Sequence, residues 1–229
     1  MKNISFKPAS PRRRFLGKIA AGAAALGLAT LSKPIKAVSE SGLTFKNPED
    51  PEAWLEKIKG KHRIVFDCTG PHDIFPFAWP KVFLMTNGGA KDCGVVVILR
   101  HEAIPYAMGN DLWAKYKLGE MFKINDPATN APALRNAFWE PKSGDYSVPG
   151  IGNVDIGINQ LQQDGVMFCV CDVALTVYSA VVAGKMNLNA ADIKQEWVKG
   201  LLPEVEVVPS GVWAVGRTQE HGCSYCFAG

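Results

Sequence analysis

Three short apolar runs of this chain end in side chains that can do chemistry: Asp67-Cys68, Arg100-His101-Glu102 and Cys171-Asp172. The third is the most telling. Gly165-Val166-Met167-Phe168-Cys169-Val170 leads into Cys171, and a small-residue helical stretch starting at Val173 follows directly. A cysteine between a strand and a helix lies near the helix N-terminus, whose partial positive charge favours thiolate, the nucleophilic form of sulfur. His101 would lower the thiol pKa further or move a proton. Cys171, His101, Asp172 and Cys68 therefore form the candidate catalytic set. The competing reading of Cys171 is a buried inert cysteine, since free cysteine is among the most buried residue types. Cys68, at another strand end, is the better disulfide partner for Cys171 in an oxidising compartment. Cys169 lies two residues before Cys171, on the same face of a strand, and is expected in the core. Cys93 precedes its strand and should be remote from the others.

A second cluster closes the chain: His221-Gly222-Cys223-Ser224-Tyr225-Cys226. The two-residue gap between cysteines matches zinc and thioredoxin-type motifs. His221, Cys223 and Cys226 are candidate metal ligands, so a metal ion stands as the alternative to having no cofactor. A zinc site of the usual kind needs a second ligand pair, which only the scattered Cys68, His72, His101 and Cys171 supply. On a strand Cys223 and Cys226 face opposite sides; a turn would bring them together.

These residues need elements to position them. Residues 62–67 and 95–99 read as strands, the second wholly apolar, and 165–171 reads as a buried central strand. Helices are expected over 48–59 (capped by Asn47, Pro48 first), 77–86 (stopped by Asn87-Gly88-Gly89) and 111–122 (capped by Asn110 or Asp111). Further helices are expected over 154–163, 173–184 (stopped by Gly184), 189–201 and from a Ser210 cap to about Glu220. A short strand covers 204–208, and the chain closes extended. Strands alternating with helices predict an α/β layered fold with a mostly parallel sheet, which gathers its strand ends at one edge. Residues 124–152 break the rhythm with Pro127, Pro132, Pro141 and Pro149. A loop this long is a lid, a binding loop, a contact arm, or a surface insertion pinned by Phe138, Trp139 and Tyr146.

The chain has 229 residues, enough for one large domain or two small ones, and 47% are apolar. Its net charge of +3 is misleading. Residues 1–37 hold eight Lys or Arg and no acid, so the remainder has 17 basic against 22 acidic residues, a net −5. That balance argues against nucleic acid as a partner. Ser10-Pro11-Arg12-Arg13-Arg14-Phe15-Leu16-Gly17-Lys18 resembles a twin-arginine export signal, followed by a mild Ala/Gly-rich apolar run over 19–31. Cleavage after Ala37 predicts a periplasmic protein, or a membrane-tethered one where the signal stays uncleaved. The expected organisation is signal peptide 1–37, linker and short helix 38–60, and an α/β domain 61–229.

From His62 onward the chain resembles the DsrE/DsrF-like sulfur-relay family. The residues that carry the likeness are strand 62–67, strand 95–99 running into Arg100-His101, "GVMFCVCDVAL" at 165–175, and the closing "VPSGVWAVGRTQEHGCSY". The resemblance implies a flavodoxin-like three-layer sandwich, assembly into homo-trimers or hexamers, and a persulfide held on the cysteine at the end of the central strand. By position that cysteine is Cys171. It implies a sulfurtransferase-like or sulfur-carrier activity, with a protein or small molecule as sulfur donor and acceptor. Export, the 124–152 loop and the Cys223/Cys226 pair depart from the family pattern. Two rival expectations stand beside it: a metal- or cofactor-binding module using the terminal His/CxxC segment, and a non-catalytic oligomeric binding protein.

Overall fold

The structure, a computed structural model, describes residues 50–229. The expected export signal and the capping pair Asn47 and Pro48 lie outside the described residues. Five strands form one all-parallel sheet: β1 (His62–Cys68), β2 (Cys93–Leu99), β5 (Val166–Cys171), β6 (Glu206–Val208) and β7 (Ser224–Phe227). They lie side by side in the order β6-β5-β2-β1-β7. Two further short strands, β3 (Ser147–Val148) and β4 (Gly152–Asn153), make a separate antiparallel hairpin.

β2 holds the middle because its sequence, Cys-Gly-Val-Val-Val-Ile-Leu, has an apolar or small side for both faces, and every residue of it is buried. β5, expected to be central, flanks it in register, Val95 opposite Val166 and Leu99 opposite Val170. Alternate residues feed two separate cores. Val97, Leu99, Phe168 and Val170 pack against helices on one face, and Val65, Val96, Ile98 and Cys169 pack against the other.

Among the described residues the first face carries six α-helices and a 3-10 turn, His101–Ala107. The helices are α1 (Phe75–Thr86), α2 (Asn110–Tyr116), α3 (Leu118–Met121), α4 (Ile158–Gln163), α5 (Asp172–Met186) and α6 (Ala190–Lys199). The second face carries α7 (Gly211–Glu220), together with a short 3-10 helix, Ala53–Lys57, which buries Trp54 and Leu55. The result is a three-layer α/β sandwich of flavodoxin-like architecture. Chirality explains the split. From β1 to β2 to β5 to β6 the chain steps one way across the sheet, and right-handed crossovers put every connecting helix on one side. The last step, from β6 to β7, returns across the whole sheet, so its helix α7 falls on the other side.

Several local expectations are met by their physical cause. Ser210 Oγ accepts from the Trp213 amide at 3.1 Å and starts α7. Asn189 Oδ1 accepts from the Ala191 amide at 2.8 Å and starts α6. Others shift. The helix expected over 111–122 breaks at Lys117, which adopts φ 50°, and the turn docks Gly119 so closely that a Cβ there would meet the Ala133 carbonyl oxygen at 2.2 Å. Helix α5 runs through Gly184 and stops instead at Asn187, in the left-handed region at φ 55°. Loop 124–152 is pinned by its own aromatics, with stretches such as 127–132 and 142–145 exposed. Phe138 and Tyr146 are buried and stack face to face at 4.9 Å, and Asn136 is fully buried and donates to the Tyr106 carbonyl at 2.8 Å.

Candidate thiol site at the carboxyl edge of the sheet

The loop after β5 turns onto the first face and the loop after β6 onto the second, although the two strands are neighbours, with Cys171 opposite Val208. In open parallel sheets such a divergence opens a crevice at the carboxyl ends of the strands, where ligands bind. Two helices, α5 and α7, therefore begin on either side of this divergence.

Cys171 is the N-cap of the 15-residue helix α5, and its Sγ accepts the Ala174 amide at 3.3 Å. This cap turns the side chain away from the strand alternation. Cys169 packs with Val96 and Ile98 on the second face, while Cys171 joins the first-face core, so the two do not share a face as expected. Cys171 is 6% exposed.

The cation beside this sulfur is Arg100. Its Nε and Nη2 donate to Oδ1 and Oδ2 of Asp67 at 2.6 and 2.8 Å, a fork geometry that fixes the guanidinium plane. Asp67 is buried and also accepts the Tyr225 hydroxyl at 3.0 Å. The Asp67 hydrogen bond is the main cause that raises the Arg100 pKa; the Cys171 thiol adds to it, which places the guanidinium charge within electrostatic reach of the sulfur. The stem of Arg100 lies across the start of α7. A Cβ on Gly211 would sit 2.5 Å from the Arg100 Cβ, so only glycine fits beneath it.

The other expected site residues are placed apart. His101 is exposed, has φ 51°, and turns to Tyr178 on α5, with Nε2 3.4 Å from the phenol oxygen. Burial, helped by Glu102, pushes Tyr178 up to about 12. Asp172 is fully buried and accepts from Lys194 of α6 at 2.9 Å, a pair that ties two helices together. Cys68 has no exposed surface, and burial, reinforced by Asp67 and Cys226, drives its thiol far above the usual range. It stays protonated. One whole strand separates it from β5, because Cys68 pairs with Leu99 and Leu99 with Val170. Two strand spacings are about 9–10 Å, beyond the reach of a disulfide to Cys171. Cys93 sits at the amino end of β2, with its thiol on the Asn87 carbonyl at 3.3 Å.

The terminal cluster does not converge either. His221 ends α7, Cys223 is buried in the second-face core, and Cys226, on β7, packs toward the first. Among the described residues no three His, Cys, Asp or Glu side chains come together to hold a metal ion. Nor does any helix among them have the length and apolar character to cross a membrane.

Arg100 was visible in the sequence at the end of its strand, but adjacency favoured His101. Tyr225, which donates to the Asp67 carboxylate that holds Arg100, carried no sequence signal, because the contact depends on β7 pairing with β1 from the far end of the chain.

No known protein family and no curated protein matches this chain. Among solved structures, a protein of unknown function, MTH1491 from Methanobacterium thermoautotrophicum, aligns at 14% identity with a TM-score of 0.39 over 72% of this chain and 98% of its own.

Proposed function

We propose that this protein carries sulfane sulfur as a persulfide on Cys171. The observation that supports the reading is the position of the Cys171 sulfur. It caps a long helix, accepts a backbone amide, and lies within electrostatic reach of a guanidinium that Asp67 holds in place. Helix N-termini and fixed cations are the groups that hold anionic sulfur and oxyanions.

The step is a sulfur exchange with no net oxidation. The Cys171 thiolate attacks the outer sulfur of a persulfide donor. A new S–S bond forms on Cys171, the donor's own S–S bond breaks, and the donor leaves as a thiolate. Arg100 offsets the negative charge that passes through the crevice. Release to an acceptor thiol reverses the same step. The narrow exposure of Cys171 suits a slender donor or an extended segment of a partner. No resident cofactor is required. Assembly into a homo-oligomer and export to the periplasm belong to the same proposal. An exposed apolar row on α1, made of Trp79, Val82 and Met85 with Ile151 beside it, supports self-association.

The test is labelling by a persulfide-selective reagent after incubation with a polysulfide donor. Label on the wild type that Cys171→Ser abolishes supports the proposal. Label that persists in Cys171→Ser contradicts it.

A further inference from the structure

The carboxyl edge of the sheet holds a second concavity, separate from the thiol. Loop 124–152 roofs a cavity of about 360 Å³ beyond the ends of β1 and β2, and Cys171 is not among its walls. Ile74, Ile124 and Phe138 give it an apolar body, with Asp73 and Lys123 at its rim. Its size falls within the range of small-molecule sites, roughly 300–1,000 Å³.

Tyr106 is the unusual wall. It is 2% exposed, and its phenol has no hydrogen-bond partner among the described residues. It lines the cavity together with Tyr146 and Asp73. Burial also keeps it protonated, as a donor. By contrast, the hydroxyl of Tyr146, another lining residue, is satisfied by the Ala137 carbonyl at 2.9 Å. A wall hydroxyl with no protein partner is free to donate to a molecule in the cavity.

The rim charges restrict what that something is. Asp126 is already taken by Arg135, at 2.7 Å. Asp73 and Lys123 carry opposite charges, and neither forms an ion pair among the described residues. A net anion would meet Asp73 and a net cation would meet Lys123; a molecule bearing both charges satisfies both. We propose that this cavity binds a free α-amino acid with an apolar or sulfur-containing side chain. Its ammonium lies toward Asp73, its side chain against Phe138, and its carboxylate toward Lys123, where it accepts from the Tyr106 hydroxyl. The site stands independently of persulfide chemistry at Cys171.

The test is isothermal titration calorimetry on the full chain, without any sulfur donor. The probes are L-methionine, L-cysteine, L-leucine and L-phenylalanine, each against its N-acetyl amide, which lacks both charges. Binding of at least one free amino acid, at least tenfold weaker for its N-acetyl amide, is expected. Tyr106→Phe weakens that binding five- to tenfold, and Asp73→Asn, which tolerates the same φ of 47°, weakens it several-fold. Ligand-free Tyr106→Phe melts at or above the wild-type temperature, because no protein partner loses a bond. The proposal is overturned by no binding of the four, by equal binding of the amide, by an unaffected Tyr106→Phe, or by a ligand-free Tyr106→Phe that melts below wild type.

Discussion

Tyr225 donates its hydroxyl to Oδ2 of Asp67 at 3.0 Å and so ties the last strand to the first across 158 residues. Asp67 in turn takes both forked donors of Arg100. A residue near the chain's end thus fixes the carboxylate that fixes the cation beside Cys171.

This relay predicts graded losses. Tyr225→Phe removes one hydrogen bond at a half-exposed phenol and costs about 1 kcal/mol. Asp67→Asn leaves Arg100 without its counter-charge and costs about 2–3 kcal/mol, below the usual figure for breaking a buried pair because the Arg100 side chain is 27% exposed. Because the two share one network, the double variant loses less than the sum. Urea unfolding midpoints of the three variants check the order. A Tyr225→Phe loss equal to that of Asp67→Asn would contradict it.

The glycines of α7 give a sharp internal control. Gly211→Ala drives a methyl into the Arg100 stem and destabilises by about 1–3 kcal/mol. Gly216→Ala, five residues on in the same helix, meets nothing within 4 Å and stabilises by up to about 1 kcal/mol. Thermal melts of the two single variants should move in opposite directions.

Much of this architecture was legible in the sequence and some was not, for physical reasons. The apolar run of β2 and the Ser210 cap are local signals, and each formed as read; the helix expected from 189 starts there because Asn189 caps it. The Lys117 break was hidden because its cause, the Ala133 backbone against Gly119, lies in a loop that pattern cannot place. Cys171 was correctly set at a strand–helix junction, yet its neighbours were not. Strand pairing across β2 keeps Cys68 distant, and the left-handed turn at His101 sends the imidazole to Tyr178. Asp67 did carry a usable signal. A carboxylate inside a buried strand demands a cation, and Arg100 ends the neighbouring strand.

Alkaline pH should unfold the protein through its buried thiol. The Cys68 pKa is raised above its ordinary value of 9.0, so the group's full contribution to stability is present below that pH. Above it the unfolded chain releases the proton while the folded chain keeps it, and stability falls as pH rises. Tyr106 and Tyr146, both raised by burial from an ordinary 10.0, act in the same direction about one unit higher. Cys68→Ala should shift the onset of this loss upward. Urea midpoints measured from about pH 8 to 11 for both proteins would reveal it; identical profiles would refute it.

The buried pair between α5 and α6 should behave as a unit. Lys194→Met leaves Asp172 charged in the core and costs about 3–5 kcal/mol. Adding Asp172→Leu should recover most of that loss, because an apolar pair of similar volume replaces the ions. A double variant as unstable as Lys194→Met alone would contradict the pairing seen at 2.9 Å.

Persulfide on Cys171 is read out by the intact mass of the protein isolated without reductant, before and after cyanide treatment. Sulfur carriage gives a population heavier by one or more sulfur atoms, stripped by cyanide and absent from Cys171→Ser. A single mass that matches the bare polypeptide, unchanged by cyanide even after loading with polysulfide, would contradict it.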